Sequence, residues 1–173
     1  MNTQNICKLI APFYQANGRF FRFVSLLDKL VPLGNLILRC WVAYAFWVSG
    51  LLKLQSWDST LYLFENEYAV PLLPAEFAAM LGTVVELAGP LLLASGLFGR
   101  GAAALLFLFN LVAVMSYPDL GAAGIEQHKE WGIMLLVCWL QGSGKLSLDA
   151  GIKRCLFPLV EYSVATAKNQ EKT

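Results

Sequence analysis

One carboxylate stands alone in a long apolar run: Glu86 lies eleven residues from Ala75 and twelve from Phe98. An ionised acid at the middle of a membrane helix costs about 2.5–3.5 kcal/mol on insertion scales. It must therefore face inward, take up a proton or meet a cation. Gly82 and Gly89 flank it and would admit another helix at close range. Pro90 has no N–H, and the helical bond it lacks is the one to the carbonyl of residue 86. Weakened backbone beside a buried charge recurs in membrane binding sites, so Gly89 and Pro90 are read as a helix break next to a ligand-site acid. The competing reading is a structural Glu–Arg pair that holds two helices together. Arg39 is the expected partner in either case, because a guanidinium suits a desolvated carboxylate better than an ammonium does. Its own alternative is to snorkel to the membrane surface.

The remaining candidates are thinner. His128, the one histidine of the chain, stands with Glu130 near one mouth of the expected bundle, where it could relay protons or ligate a metal. Lys53 shares that mouth and is expected to snorkel. Cys40 and Cys138 fall at matching depth in two apolar segments, and Met134 precedes Cys138 by one helical turn. Soft sulfur ligands suit copper(I). The more ordinary expectation is that the two thiols pack separately and that copper, if handled, is held by a partner. Four cysteines without a CxxC, and a single histidine, leave no zinc pattern.

The elements that would position these groups are membrane helices. Of the 173 residues, 57% are hydrophobic and 14% charged, against about 45–50% and 25% in an ordinary soluble domain. A net charge of +1 excludes a nucleic-acid binder driven by basic charge. Four spans of the required length are read at about 36–54, 75–98, 101–117 and 126–142, giving an all-α, four-helix transmembrane bundle over residues 33–150. The fourth has an apolar core of only 10 residues, Trp131–Leu140, and must borrow its flanks. Gly99-Arg100 alone is expected to join the second and third spans, and Pro118 to end the third. The link Gln55–Pro74, rich in aromatic rings, should lie at the membrane surface and fold over the mouth of the bundle.

Residues 1–32 read as an amphipathic interfacial segment, with Phe20, Val24, Leu27 and Val31 on one face. Residues 151–173 read as a second such segment followed by a disordered tail. Met1–Asn5 has no positive charge and does not resemble a signal peptide, so the chain is expected to enter the membrane by its own spans. Ten lysines and arginines flank one side of the expected bundle, and only Lys53 and Lys129 the other. The positive-inside rule then puts both termini in the cytoplasm of a bacterial inner membrane.

Several of these stretches, taken in order, resemble the DoxX family. They are Arg39 leading to Ser49-Gly50-Leu51-Leu52-Lys53-Leu54, then Glu86-Leu87-Ala88-Gly89-Pro90-Leu91-Leu92-Leu93, then Arg100, then Gly142-Ser143-Gly144-Lys145-Leu146-Ser147-Leu148-Asp149. The family usually has Gly-Pro-Gly before the final motif, and here Ser143 replaces the proline. A narrower likeness rests on Gln55-Ser56-Trp57-Asp58-Ser59-Thr60, Leu63-Phe64-Glu65, Tyr68–Pro74 and Met115–Leu120. These stretches look like the DoxX-type protein of operons that make copper-binding, cysteine-rich modified peptides of the bufferin type. The resemblance implies an accessory role in maturation, export or use of such a peptide under copper stress. Other DoxX-type proteins are tied to thiosulfate:quinone oxidoreduction, which makes a quinone-linked oxidoreductase subunit the second reading. A non-catalytic membrane scaffold is the third. Expected partners are the lipid bilayer, a modified peptide or its maturation proteins, and a further copy of the chain. Quinone and copper both stay open as ligands, and so does whether any reaction is catalysed.

Overall fold

A computed structural model describes residues 18–70 and 72–156. The chain divides into two compact units, Met1–Gly34 and Asn35–Thr173. Of the first, the described part is the beginning of helix α1 (Gly18–Gln55), with Pro32 inside the helix. Phe20, Phe23, Leu27 and Val31 there are all exposed. The disordered tail expected at the C-terminus lies outside the described residues, as do Cys7 and the first seventeen positions.

Helix is the only regular secondary structure among the described residues of the second unit. After α1 come α2 (Trp57–Asn66), α3 (Ala75–Ser95), α4 (Gly99–Ser116) and α5 (Gly121–Gln141), with further helical residues at 148–156. The core is drawn from four of these helices: Val42, Ala43 and Phe46 of α1, Leu93 of α3, Ala102, Ala103 and Leu106 of α4, and Leu135 and Cys138 of α5. Three of these nine residues are alanine, and glycines let the helices approach closely. A Cβ on Gly89 would stand 2.8 Å from Leu106, and one on Gly50 3.0 Å from Leu87. Outside this core the chain is apolar again: Ile37, Trp41, Tyr44, Val84, Leu91, Leu108, Ile133 and Leu140 are each more than half exposed. That much apolar surface is stable only against lipid or another protein.

Three described helices are long and apolar enough to cross a membrane: Phe20–Gln55, Ala75–Ser95 and Gly99–Ser116. The fourth expected span does not meet that standard. It is a continuous helix of 21 residues that starts at Gly121, five residues before the expected 126, but Glu126, Lys129 and Glu130 crowd its first half.

Two boundaries also shift. The second span stops at Ser95 rather than 98, because Gly96 turns left-handed (φ 69°). The Gly96 N–H then bonds the Leu93 carbonyl, and the Leu97 N–H bonds that of Leu92. These are the two bonds of a Schellman ending. The turn is therefore residues 96–98, and Gly99-Arg100 already begin α4. Pro90 does not break α3, which runs through it from Ala75 to Ser95. At the far end of α4, Tyr117 is extended (φ −116°, ψ 91°), as a residue before proline must be.

The aromatic link contains α2 and folds back on the bundle. Thr60 Oγ1 donates to the carbonyls of Lys53 and Ser56, and the Ala69 N–H donates to the Ser116 carbonyl at 2.7 Å. The Phe64, Tyr68 and Tyr117 rings stack edge to face in sequence, each pair 4.9 Å apart.

Candidate functional site

Close contact of α1 and α3 at Gly50 sets the register of their side chains. Ser49 and Lys53, one turn apart on α1, both face Glu86. The Lys53 ammonium meets one Glu86 oxygen at 2.6 Å, and the Ser49 hydroxyl donates to the other at 3.2 Å. Lys53 Nζ also donates to Ser49 Oγ at 2.9 Å, closing a three-membered cluster. The Glu86 side chain is 7% exposed and that of Lys53 19%. A carboxylate so deeply placed needs its charge matched, and Lys53 supplies the match.

Arg39 does not. It lies ten residues before Ser49 on the same helix, about 15 Å along its axis. That distance puts it opposite the far end of α3, beyond the reach of its own side chain to Glu86. There its guanidinium, 1% exposed, donates to the carbonyls of Leu93 at 3.4 Å and Leu146 at 2.5 Å. A cation on the last carbonyls of a helix is favoured by the helix dipole. Arg39 is thus a clasp between the end of α3 and the 142–147 loop. Asp149 completes the clasp from the other side, accepting from the Phe98 and Gly99 N–H groups and from the Ser143 hydroxyl at 2.8 Å. Partial burial alone would raise the Asp149 carboxyl. The Ser143 hydroxyl, the two amides and the Lys153 charge together hold it below the usual carboxylate value.

The Ser49–Lys53–Glu86 cluster forms part of the wall of a cavity of about 560 Å³. The wall is otherwise mostly apolar: Phe46 and Phe109, Val85, Leu105 and Leu108, and from the link Phe64, Val70 and Leu73. Its other polar members are Tyr68, Ser116, Tyr117 and His128. Burial first, then the neighbouring Tyr117, Glu67 and Glu86, push the Tyr68 hydroxyl above its ordinary value. The Glu67 carboxylate does the same to Tyr117. Both rings stay neutral at physiological pH.

His128 reaches the cavity from the first half of α5. Buried Asn110 grips it twice: the Asn110 amide NH₂ donates to the His128 carbonyl at 2.9 Å, and its oxygen lies 2.7 Å from Nδ1. Because the amide nitrogen is committed to the carbonyl, the oxygen must accept, which assigns the ring proton to Nδ1 and leaves Nε2 as the acceptor. Trp131, also in the wall, packs edge-on against the ring at 4.9 Å.

The other sequence candidates are dispersed. Glu130 is exposed on α5 away from the wall. Gly89 and Pro90 are both buried, and Gly89 makes room for Leu106. Cys138 lies in the core with Met134 packed beside that core, whereas Cys40 is exposed. Among the described residues no three His, Cys, Asp or Glu side chains converge as metal ligands do. Four polar cavity residues had no expected role: Ser49, Tyr68, Ser116 and Tyr117. Ser49 carried a signal, since it stands one helical turn before Lys53. Asn110 carried one too, as the lone strongly polar residue of its span.

A scan against protein-family models matches DoxX over residues 34–118. The match covers just under half of the chain. Searches of curated proteins and of solved structures return no match. The DoxX region contains the whole Ser49–Lys53–Glu86 cluster, Ser116, Tyr117 and the aromatic link, while His128 and Trp131 come from beyond it.

Proposed function

We propose that this DoxX-type membrane protein binds a lipophilic small molecule with a polar head, of the quinone class, in the cavity beside Lys53 and Glu86. The observation that carries the reading is a charged cluster at one point of a mostly apolar cavity of about 560 Å³. Ligand sites are about 300–1,000 Å³, mostly apolar, with a few placed polar groups. The Lys53 ammonium has three N–H bonds, two of them given to Glu86 and Ser49, and the third suits a carbonyl oxygen. The exposed apolar helix faces put the cavity within reach of molecules dissolved in lipid.

The membrane setting is part of the same reading: α1, α3, α4 and α5 as four crossings of a bacterial inner membrane, with both termini cytoplasmic. The asymmetry of lysine and arginine supports it. Under it, α5 keeps Glu126, Lys129 and Glu130 at the outer end. A reporter enzyme that is active only outside the cytoplasm, fused after Thr173, should then be silent.

A second reading, accessory to a copper-binding modified peptide, has one observation in its favour. The two stretches that carry the narrower likeness, Gln55–Pro74 and Met115–Leu120, are far apart in sequence yet meet at one end of the cavity. Residues that set this subtype apart thus surround the same site. The peptide, or its maturation proteins, would act at that end.

The test is to purify the protein from membranes in mild detergent, extract it with organic solvent and quantify isoprenoid quinone. Near-stoichiometric quinone in the parent, lost in Ala113→Trp, which fills the cavity, is the expected result. Equal amounts in both proteins, or none in the parent, would overturn the reading.

A further inference from the structure

Ser116 stands out within the cavity wall. It is the last residue of α4 and 4% exposed, and its hydroxyl has no hydrogen-bond partner among the described residues. A helical serine normally gives its hydroxyl to the carbonyl one turn back, as Thr83 does to Ala79 at 2.8 Å. Ser116 does not, although its own carbonyl is engaged by the Ala69 N–H. A buried hydroxyl without a partner is desolvated with nothing in return, and native proteins rarely keep one unless something else completes it.

We infer that the Ser116 hydroxyl is the second polar anchor of the ligand site, so that the cavity selects apolar molecules carrying two separated acceptor groups. The inference rests on the cavity reading above and narrows its ligand class. One acceptor meets the free N–H of Lys53 on α1, and the other meets Ser116 on α4. A ligand held at two points on two helices is fixed in orientation as well as in depth. A molecule with one polar group satisfies Lys53 and leaves Ser116 as it is in the empty protein. The site would thereby prefer a ring with carbonyls at opposite ends over a monoketone, a fatty alcohol or a fatty acid of equal size.

Ser116 also ties the ligand to the aromatic link. The Ala69–Ser116 bond and the Tyr68–Tyr117 stack put the link against the residue that would touch the ligand. Occupancy at Ser116 is therefore sensed by the segment that carries Tyr68.

The experiment compares two probes of nearly equal shape, menadione with two carbonyls and 2-methyl-1-tetralone with one. Binding to the purified protein is measured by isothermal titration calorimetry against a detergent blank. The parent should bind menadione more tightly. Ser116→Ala should weaken menadione about three- to tenfold and leave the monoketone unchanged, the range of one hydrogen bond. Ser116→Thr, which keeps the hydroxyl, should restore most of the loss. Equal affinity of parent and Ser116→Ala for menadione would overturn the anchor while leaving the cavity reading in place. A parent that binds neither probe would overturn both.

Discussion

Removing Lys53 should destabilise the protein more than removing Glu86, and removing both should cost less than the sum. In Lys53→Met the Glu86 carboxylate, 7% exposed, keeps only the Ser49 hydroxyl at 3.2 Å. Breaking a buried pair from one side costs about 3–5 kcal/mol when both members are fully desolvated. Lys53 is 19% exposed, so the expected loss is smaller, about 2–3 kcal/mol. For a chain of this size that is a fall of roughly 4–12 °C in Tm. Glu86→Leu leaves an ammonium that can turn towards the cavity mouth, and the loss should be about half as large. The double variant Lys53→Met, Glu86→Leu carries no unpaired charge and should lie within about 1–2 kcal/mol of the parent, since apolar replacement of a buried pair is often neutral. Thermal unfolding of the four detergent-purified proteins, followed by far-UV circular dichroism, gives the cycle. Losses that simply add, to within about 0.5 kcal/mol, would show that the two side chains do not interact, and the site as described would be wrong. Arg39→Met provides the contrast: it should add independently to Glu86→Leu, because the two side chains share no partner.

Gly89→Val should lower Tm, because the new side chain enters the space of fully buried Leu106; overpacking of this kind costs about 1–3 kcal/mol, and an unchanged Tm would contradict the packing of α3 on α4. Gly96→Ala should be worse than its small volume suggests, since the left-handed backbone (φ 69°) is joined there by overlap with Arg39 and Ser147; expression and detergent stability of the variant read this directly. Asp149 should give a stability term at neutral pH that disappears in acid. Its folded pKa lies below the unfolded value of about 3.9, so the term is complete above that value and is lost as pH falls through the folded one. The Tm gap between parent and Asp149→Asn should accordingly narrow below about pH 4, and a gap constant from pH 7 to 3 would count against the clasp.

The sequence makes the helices easy to read and their pairing hard. Apolar length and Pro118 place α3 and α4 to within a few residues, because both are local signals. The Glu86 partner is not local. It depends on where α1 and α3 touch, which Gly50 decides by letting Leu87 close against it. Lys53 is expected only to snorkel at the mouth, and the chemical preference of carboxylate for guanidinium points to Arg39 instead. The preference was overridden by register: about 15 Å of helix separates Arg39 from Ser49, and no rotamer spans that. The extent of α5 was hidden for a different reason. Residues 121–125, two of them glycine, fall in the expected link after Pro118, yet they already belong to the helix.

The way the site is assembled bears on what it can do. The ion pair belongs to two helices of the matched region, at a point where Gly50 lets them approach closely. The rest of the wall comes from α3, α4 and α5 and from the aromatic link. That wall includes an unsatisfied serine on the side nearest the link. A scaffold with no ligand would lose nothing by exchanging that serine for alanine and would gain by dropping a desolvated hydroxyl. Its presence at the cavity wall is better accounted for by a bound partner than by packing.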